Sequence, residues 1–143
     1  MSTYTQILFQ IVFGTKNNEP VMIESGQEKL YQYIWGILKN KKYHLYRIGG
    51  VKDHIHIITH LHSTVAPAYL VKDIKIASSE YIFPDFNGWQ VGYGAFTYAI
   101  SAKDNLIEYV KNQKEHHQKV NFKDEYIDLL KEHGIEFDEK YLL

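Results

Sequence analysis

Apolar positions along the chain keep two rhythms. In residues 4–13, 43–48, 53–60 and 89–100 they alternate with polar positions or run together as β-branched and aromatic residues, which predicts strands. In residues 24–39, 64–82, 103–117 and 123–133 they recur every three or four positions, which predicts amphipathic helices. The helix over 24–39 carries Leu30, Ile34, Ile37 and Leu38 on one stripe, with Ser25 as its expected cap. Over 64–82, Val65, Tyr69, Ile74 and Ala77 are expected inward, with Pro67 near the start. Residues 14–20 read as a turn, Gly49 and Gly50 as a tight turn, residues 84–88 as a breaker loop, and Gly134 as a helix stop. Gly92 and Gly94 mark a bend or a close backbone approach in the last strand.

The resulting order is βαββαβ followed by two helices. This is the α+β, ferredoxin-like (split βαβ) arrangement, with a four-stranded antiparallel sheet covered by helices on one face and open on the other. Within 53–60, alternation places His54 and His56 on one face and Ile55 and Ile57 on the opposite one. If the isoleucines meet the helices, the histidine pair points to the open face. Two imidazoles spaced by roughly 7 Å on a strand are close enough to lean onto one cation. His60 and His62 share that parity and read as bystanders.

A second group of residues lies in the helix over 103–117, whose stripe is Leu106, Val110 and Ile107. Tyr109 and Gln113, four apart, project from one face one turn apart. A tyrosine hydroxyl can act as a covalent nucleophile, and a glutamine amide oxygen can ligate a hard cation. Each group alone has an ordinary alternative, two surface histidines or a packed tyrosine beside a solvated glutamine.

Together the groups carry a resemblance. A His-hydrophobe-His strand followed by a Tyr-x-x-x-Gln helix is similar to the single-tyrosine HUH transposases of bacterial insertion sequences and their REP-associated relatives. The turn Gly14-Thr15-Lys16-Asn17-Asn18-Glu19-Pro20, the block Trp89-Gln90-Val91-Gly92-Tyr93-Gly94-Ala95-Phe96, the triplet Glu115-His116-His117 and the ending from Gly134 to Leu142 resemble that family in order and spacing. Lys52 stands where the family often has proline, and Gln10 where a histidine is common. The resemblance implies metal-dependent cleavage and rejoining of single-stranded DNA through a 5′-phosphotyrosine intermediate. Tyr109 would be the nucleophile, and His54, His56 and Gln113 the ligands of a divalent metal, Mg²⁺ or Mn²⁺. It also implies recognition of hairpin-containing element ends and a homodimer with composite active sites.

Composition adds limits. At 143 residues the chain is expected to be one transposase-sized domain, with a catalytic body over 1–121 and an acidic helix and arm over 122–143. It has no cysteine, which excludes thiolate metal sites and disulfides. No signal peptide or membrane-length apolar run is evident, so a cytoplasmic location is expected. The net charge of −1 argues against a nucleic-acid partner until it is divided. Residues 122–143 hold three lysines against seven acids, which leaves the rest of the chain at +3. Lys39, Lys41, Lys42, Arg47, Lys72, Lys75, Lys111, Lys114 and Lys119 are candidate phosphate contacts. Three other readings stay open: an RNA- or DNA-binding module on a ferredoxin-like sheet, a metal-dependent regulatory domain that binds a ligand there, and a domesticated transposase that keeps the cleavage residues but no longer moves.

Overall fold

A computed structural model of the chain describes residues 2–41, 43–62, 64, 66–78, 83 and 85–142. Val65, the expected helix continuation through 79–82, Pro84 and Lys42 lie outside the described residues.

Four strands, β1 (Leu8–Gly14), β2 (His44–Gly50), β3 (His54–His60) and β4 (Gly94–Tyr98), form one sheet in the order β2-β3-β1-β4. Every neighbouring pair is antiparallel. Helices α1 (Glu24–Asn40) and α2 (Pro67–Ser78) cover one face. The main core lies between these layers. Ile11, Phe13, Ile48, Ile55 and Ile57 of the sheet meet Leu30, Ile34 and Leu38 of α1 and Leu70, Val71 and Ile74 of α2. The period-two and period-3.6 patterns therefore meet as expected, except in α2, where Tyr69, expected inward, is exposed and Leu70 and Val71 face the core instead. The fold is the expected α+β ferredoxin-like one.

The second face is not open. It carries Leu8 and Val12 from β1, Ile58 from β3 and Phe96 from β4, all apolar and all buried. Two further helices cover them. From α3 (Lys103–Lys111), Leu106 and Val110 pack on Leu8 and Ile58. From α5 (Phe122–Glu132), Phe122, Tyr126, Leu129 and Leu130 pack on Val12 and Phe96. Strand β3 is thus buried on both faces, with His54 and His56 fully excluded from solvent. Exposing these four sheet residues would leave a large apolar patch in water, and burying a side chain of that size is worth about 1.5–3 kcal/mol.

Several boundaries differ from the sequence reading. The first strand begins at Leu8 rather than residue 4. Ser25 lies inside α1, whose cap position is Ile23 with no side-chain hydrogen bond. Gly49 and Gly50 are not a turn; they pair with His56 and Ile55 as the end of β2, and the connection falls at residues 51–53. The last strand covers only Gly94–Tyr98. Gly92 has φ +93°, a left-handed conformation that glycine takes without strain, and it bends the chain ahead of β4. Before that bend, Trp89 makes one bridge to Thr15. The helix over 103–117 is broken at Asn112 into α3 and a short α4 (Gln113–His116). Gly134, at φ +65°, ends α5 as expected.

Ile57→Ala should cost about 2–5 kcal/mol in denaturant unfolding, because it opens a cavity between the sheet and both helices of the main core. Val91→Ala, at a side chain 97% exposed, should stay within about 0.5 kcal/mol. Equal losses at the two positions would contradict this placement of the core.

Candidate functional site

The covered second face of the sheet contains one polar cluster, centred on Glu125. Strand β3 supplies His54 and His56, β1 supplies Gln10, α3 supplies Tyr109, and α4 with the residue after it supplies Gln113 and His117. Glu125, 2% exposed, comes down from the first turns of α5. Its Oε1 lies 3.2 Å from His54 Nε2, 3.0 Å from His56 Nε2 and 3.0 Å from His117 Nε2. Its Oε2 accepts the Tyr109 hydroxyl and a hydrogen bond of 3.1 Å from Gln113 Nε2. Gln113 Oε1 is in turn 3.2 Å from His54 Nε2. His116 Nε2 lies 3.3 Å from Glu125 Oε2.

The outer edges of the histidines are also fixed. His54 Nδ1 is 2.6 Å from Asp53 Oδ1, and the ring stacks on Phe122 with 4.0 Å between centroids. His56 Nδ1 is 2.8 Å from Gln10 Oε1, whose amide nitrogen donates to Tyr98 Oη at 2.8 Å. Aspartate and the glutamine carbonyl are acceptors, so this network assigns the ring proton of each neutral histidine to Nδ1. Each Nε2 lone pair then faces the Glu125 carboxylate. Two lone pairs aimed at an anion repel unless a positive charge sits among them, as a proton or as a metal ion. The donor atoms of His54, His56, His117 and Glu125 all lie within 4.8 Å of one another. Two imidazoles, a carboxylate and an amide oxygen form a mixed nitrogen and oxygen set that fits a divalent cation.

The protonation balance follows from burial and these contacts. Burial disfavours the charged form of Glu125, but the imidazoles of His117, His54 and His56, wherever Nε2 carries a proton, outweigh it and hold the carboxyl far below the usual carboxylate range. Burial pulls His56 down to about 4, despite the neighbouring Glu125. His54 is also desolvated, yet its bonds to Asp53 and Glu125 leave it raised. The Tyr109 phenol is pushed well up, first by burial and then by the adjacent Glu125 charge. Tyr109 is therefore a neutral phenol held against a carboxylate.

Local geometry explains how α3 comes so near the sheet. A Cβ at Gly49 would sit 2.6 Å from the carbonyl oxygen of Val110 and 2.9 Å from its Cγ1. Only glycine there lets the backbone of α3 lie flush on β2, one residue beyond Tyr109. The break at Asn112 does not separate Tyr109 from Gln113, since both donate to the same carboxylate oxygen. Two cavities flank the cluster. One of about 630 Å³ is bordered by Lys52, Asp53, His117 and Phe122, and one of about 430 Å³ by Gln10, Tyr109, His116 and Glu125.

The four residues singled out from sequence, His54, His56, Tyr109 and Gln113, are all in this cluster. Their ring centroids bring His54 and His56 to 5.1 Å and His56 and Tyr109 to 5.7 Å. His60 and His62 are elsewhere, against Ile7 and Thr64. Sequence reasoning gave no role to Glu125 or His117 and treated Gln10 as peripheral. A signal for Glu125 was present: it lies on the apolar stripe of α5, between Phe122 and Leu129, where an unpaired acid is costly. Several candidate phosphate contacts are already engaged. Lys41 pairs with Asp73, Lys114 with Glu24, and Lys75 donates to Gln90 O and Gly92 O. The α3 stripe needs no partner subunit to cover it, because Leu106 and Val110 bury against the chain's own Leu8 and Ile58.

Comparison with known proteins shows the family and the fold. Residues 3–113 match the family described as IS200-like transposases, and the chain belongs to that family. Its fold is similar to that of a protein from Deinococcus radiodurans R1 described as a transposase, with TM-score 0.62 and 17% identity over 79% of this chain and 95% of that one. It is also similar to a REP-associated tyrosine transposase solved with a REP hairpin, with TM-score 0.61 and 13% identity over 84% of this chain and 76% of that one. No curated protein shows significant sequence similarity to the chain. His117 and Glu125 both lie beyond the matched family segment. No helix among the described residues is long and apolar enough to cross a membrane.

Gly49→Ala should destabilise the protein by about 1–3 kcal/mol by forcing α3 off β2. Gly36→Ala, in mid-α1 with nothing within 4 Å of the added Cβ, should instead stabilise it by about 1 kcal/mol. Thermal unfolding of the two variants distinguishes them, and a neutral Gly49→Ala would contradict the close approach of α3.

Proposed function

We propose that the protein is a DNA transposase that cleaves and rejoins single-stranded DNA through a covalent bond to Tyr109. The observation that supports this most directly is that Tyr109 and the pair His54 and His56 share one buried carboxylate, so a nucleophile and a cation-binding group stand side by side. Tyr109 Oη attacks the scissile phosphorus and forms a new P–O bond. The bond from phosphorus to O3′ breaks, and the leaving oxygen ends as a 3′-hydroxyl. The DNA 5′-phosphate stays on Tyr109, and the bond energy is conserved, so attack by another 3′-hydroxyl reverses the step without a nucleotide cofactor. Tyr109 must lose its proton on the way; Glu125 Oε2 accepts its hydrogen bond and orients the hydroxyl toward the phosphorus.

His54, His56 and Gln113 would hold the divalent cation, Mg²⁺ or Mn²⁺. When bound, the cation neutralises charge on the scissile phosphate as a Lewis acid. The substrate is read as single-stranded or hairpin DNA, in keeping with the family. A buried cluster reached through two cavities suits a flexible strand better than a rigid duplex, which needs an element that enters a groove. The resemblance implies a homodimer with composite sites. The packing of α3 on its own sheet favours a site served by one chain's own tyrosine.

Tyr109→Phe removes one hydroxyl and leaves the ring packed. It should abolish cleavage and the covalent adduct on a denaturing gel while single-stranded DNA is still bound. An adduct formed by the Phe variant would remove Tyr109 from its role. Chelation should stop cleavage by the wild type, and His56→Ala should lower it by a hundredfold or more. Full activity of His56→Ala in chelator would sink the cation model. A single-stranded hairpin should be cut and its fully paired counterpart left intact, and equal cleavage of both would count against the substrate class.

A further inference from the structure

The cation-binding set proposed above names two ring nitrogens and one amide oxygen and gives the Glu125 carboxylate at its centre no part in holding the ion. We propose that Glu125 is itself a ligand of the cation and, through its other oxygen, the residue that positions Tyr109 against it. This rests on the reading that His54 and His56 bind a cation.

The distances carry the first half. Glu125 Oε1 stands 3.0–3.2 Å from the Nε2 atoms of His54, His56 and His117. Ligands bound at about 2.1 Å to one six-coordinate ion are separated by about 3.0 Å along an edge, and by about 3.4 Å around a four-coordinate one. The separations of Oε1 from the three ring nitrogens are those of neighbouring ligands around one ion. Asp53 and Gln10 hold the opposite ring protons of His54 and His56, so the lone pairs that face Oε1 are the ones a cation takes up.

The second half follows from Oε2, which accepts the Tyr109 hydroxyl and the Gln113 amide. One carboxylate thus spans the ion and the nucleophile, and its position is set by α5, whose Phe122 also stacks on His54. Helix α5 lies outside the segment matched by the family. Cation binding then pins α5 to β3 and fixes the Tyr109 hydroxyl relative to the ion.

The test uses Mn²⁺ and the full-length chain. Calorimetric or paramagnetic titration should show Mn²⁺ bound at least tenfold more weakly by Glu125→Gln than by wild type, with the variant's unfolding in chelator showing a folded protein. In wild type, saturating Mn²⁺ should slow amide exchange across Phe122–Glu132. It should also shift the near-ultraviolet tyrosine signal, a shift lost in Tyr109→Phe and in Glu125→Gln. Wild-type affinity in a folded Glu125→Gln overturns the proposal. If that variant fails to fold, unchanged exchange of α5 in Mn²⁺-loaded wild type overturns it. Loss of affinity in His56→Ala but not in Glu125→Gln removes only this proposal. Unchanged affinity in His56→Ala removes the cation site on which it rests.

Discussion

Everything on the second face of the sheet depends on one buried carboxylate. Glu125 is 2% exposed, and an ionised acid so placed survives only with compensating partners. Here the partners are three imidazoles, a phenol and an amide, drawn from β3, α3, α4 and the turn before α5. Strand β3 lies far in sequence from α3, α4 and that turn, and the Gln113 Oε1 to His54 Nε2 contact adds a second polar link between them. The carboxylate makes their meeting specific, while Leu106, Val110, Phe122 and Tyr126 supply the apolar burial that holds it closed. Removing either side of this arrangement would leave the other exposed to a cost it cannot meet.

The same arrangement explains which parts of the protein were legible in the sequence. The βαββαβ order, the stripes of α1 and the facing of His54 and His56 all come from local periodicity, and local periodicity survives folding. Ile55 and Ile57 do face the helical layer, and the histidines do face away. The covering of that second face was not legible as a pattern in β3, because His54 and His56 read as polar positions and so as solvent-facing ones. Its apolar partners, Leu8, Val12, Ile58 and Phe96, are spread over three strands, and only tertiary assembly gathers them.

The site was legible in part for a similar reason. His54, His56, Tyr109 and Gln113 carry spacings that chemistry can read. Glu125 carries none, except its place on the apolar stripe of α5. The acidic tally of residues 122–143 disguised it as one of several solvated charges on a terminal arm. In the fold, that segment is not an appendage: Phe122, Tyr126, Leu129 and Leu130 form one of the protein's cores with Val12 and Phe96. Charge counted along a chain says nothing about which acid is buried. Membership of the IS200-like transposases likewise rests on residues 3–113, short of the helix that completes the cluster.

The central claim is that one chain's own tyrosine serves its own histidines. Subunit mixing tests it most directly. Tyr109→Phe chains and His56→Ala chains, each inactive alone, are co-refolded or exchanged, with mixed species verified by mass, and single-stranded DNA cleavage is measured. A site built within one chain predicts no recovered cleavage, because every chain lacks either nucleophile or ligand. Cleavage restored by mixing would show that α3 reaches a partner's sheet, and would contradict the cis arrangement on which this account stands.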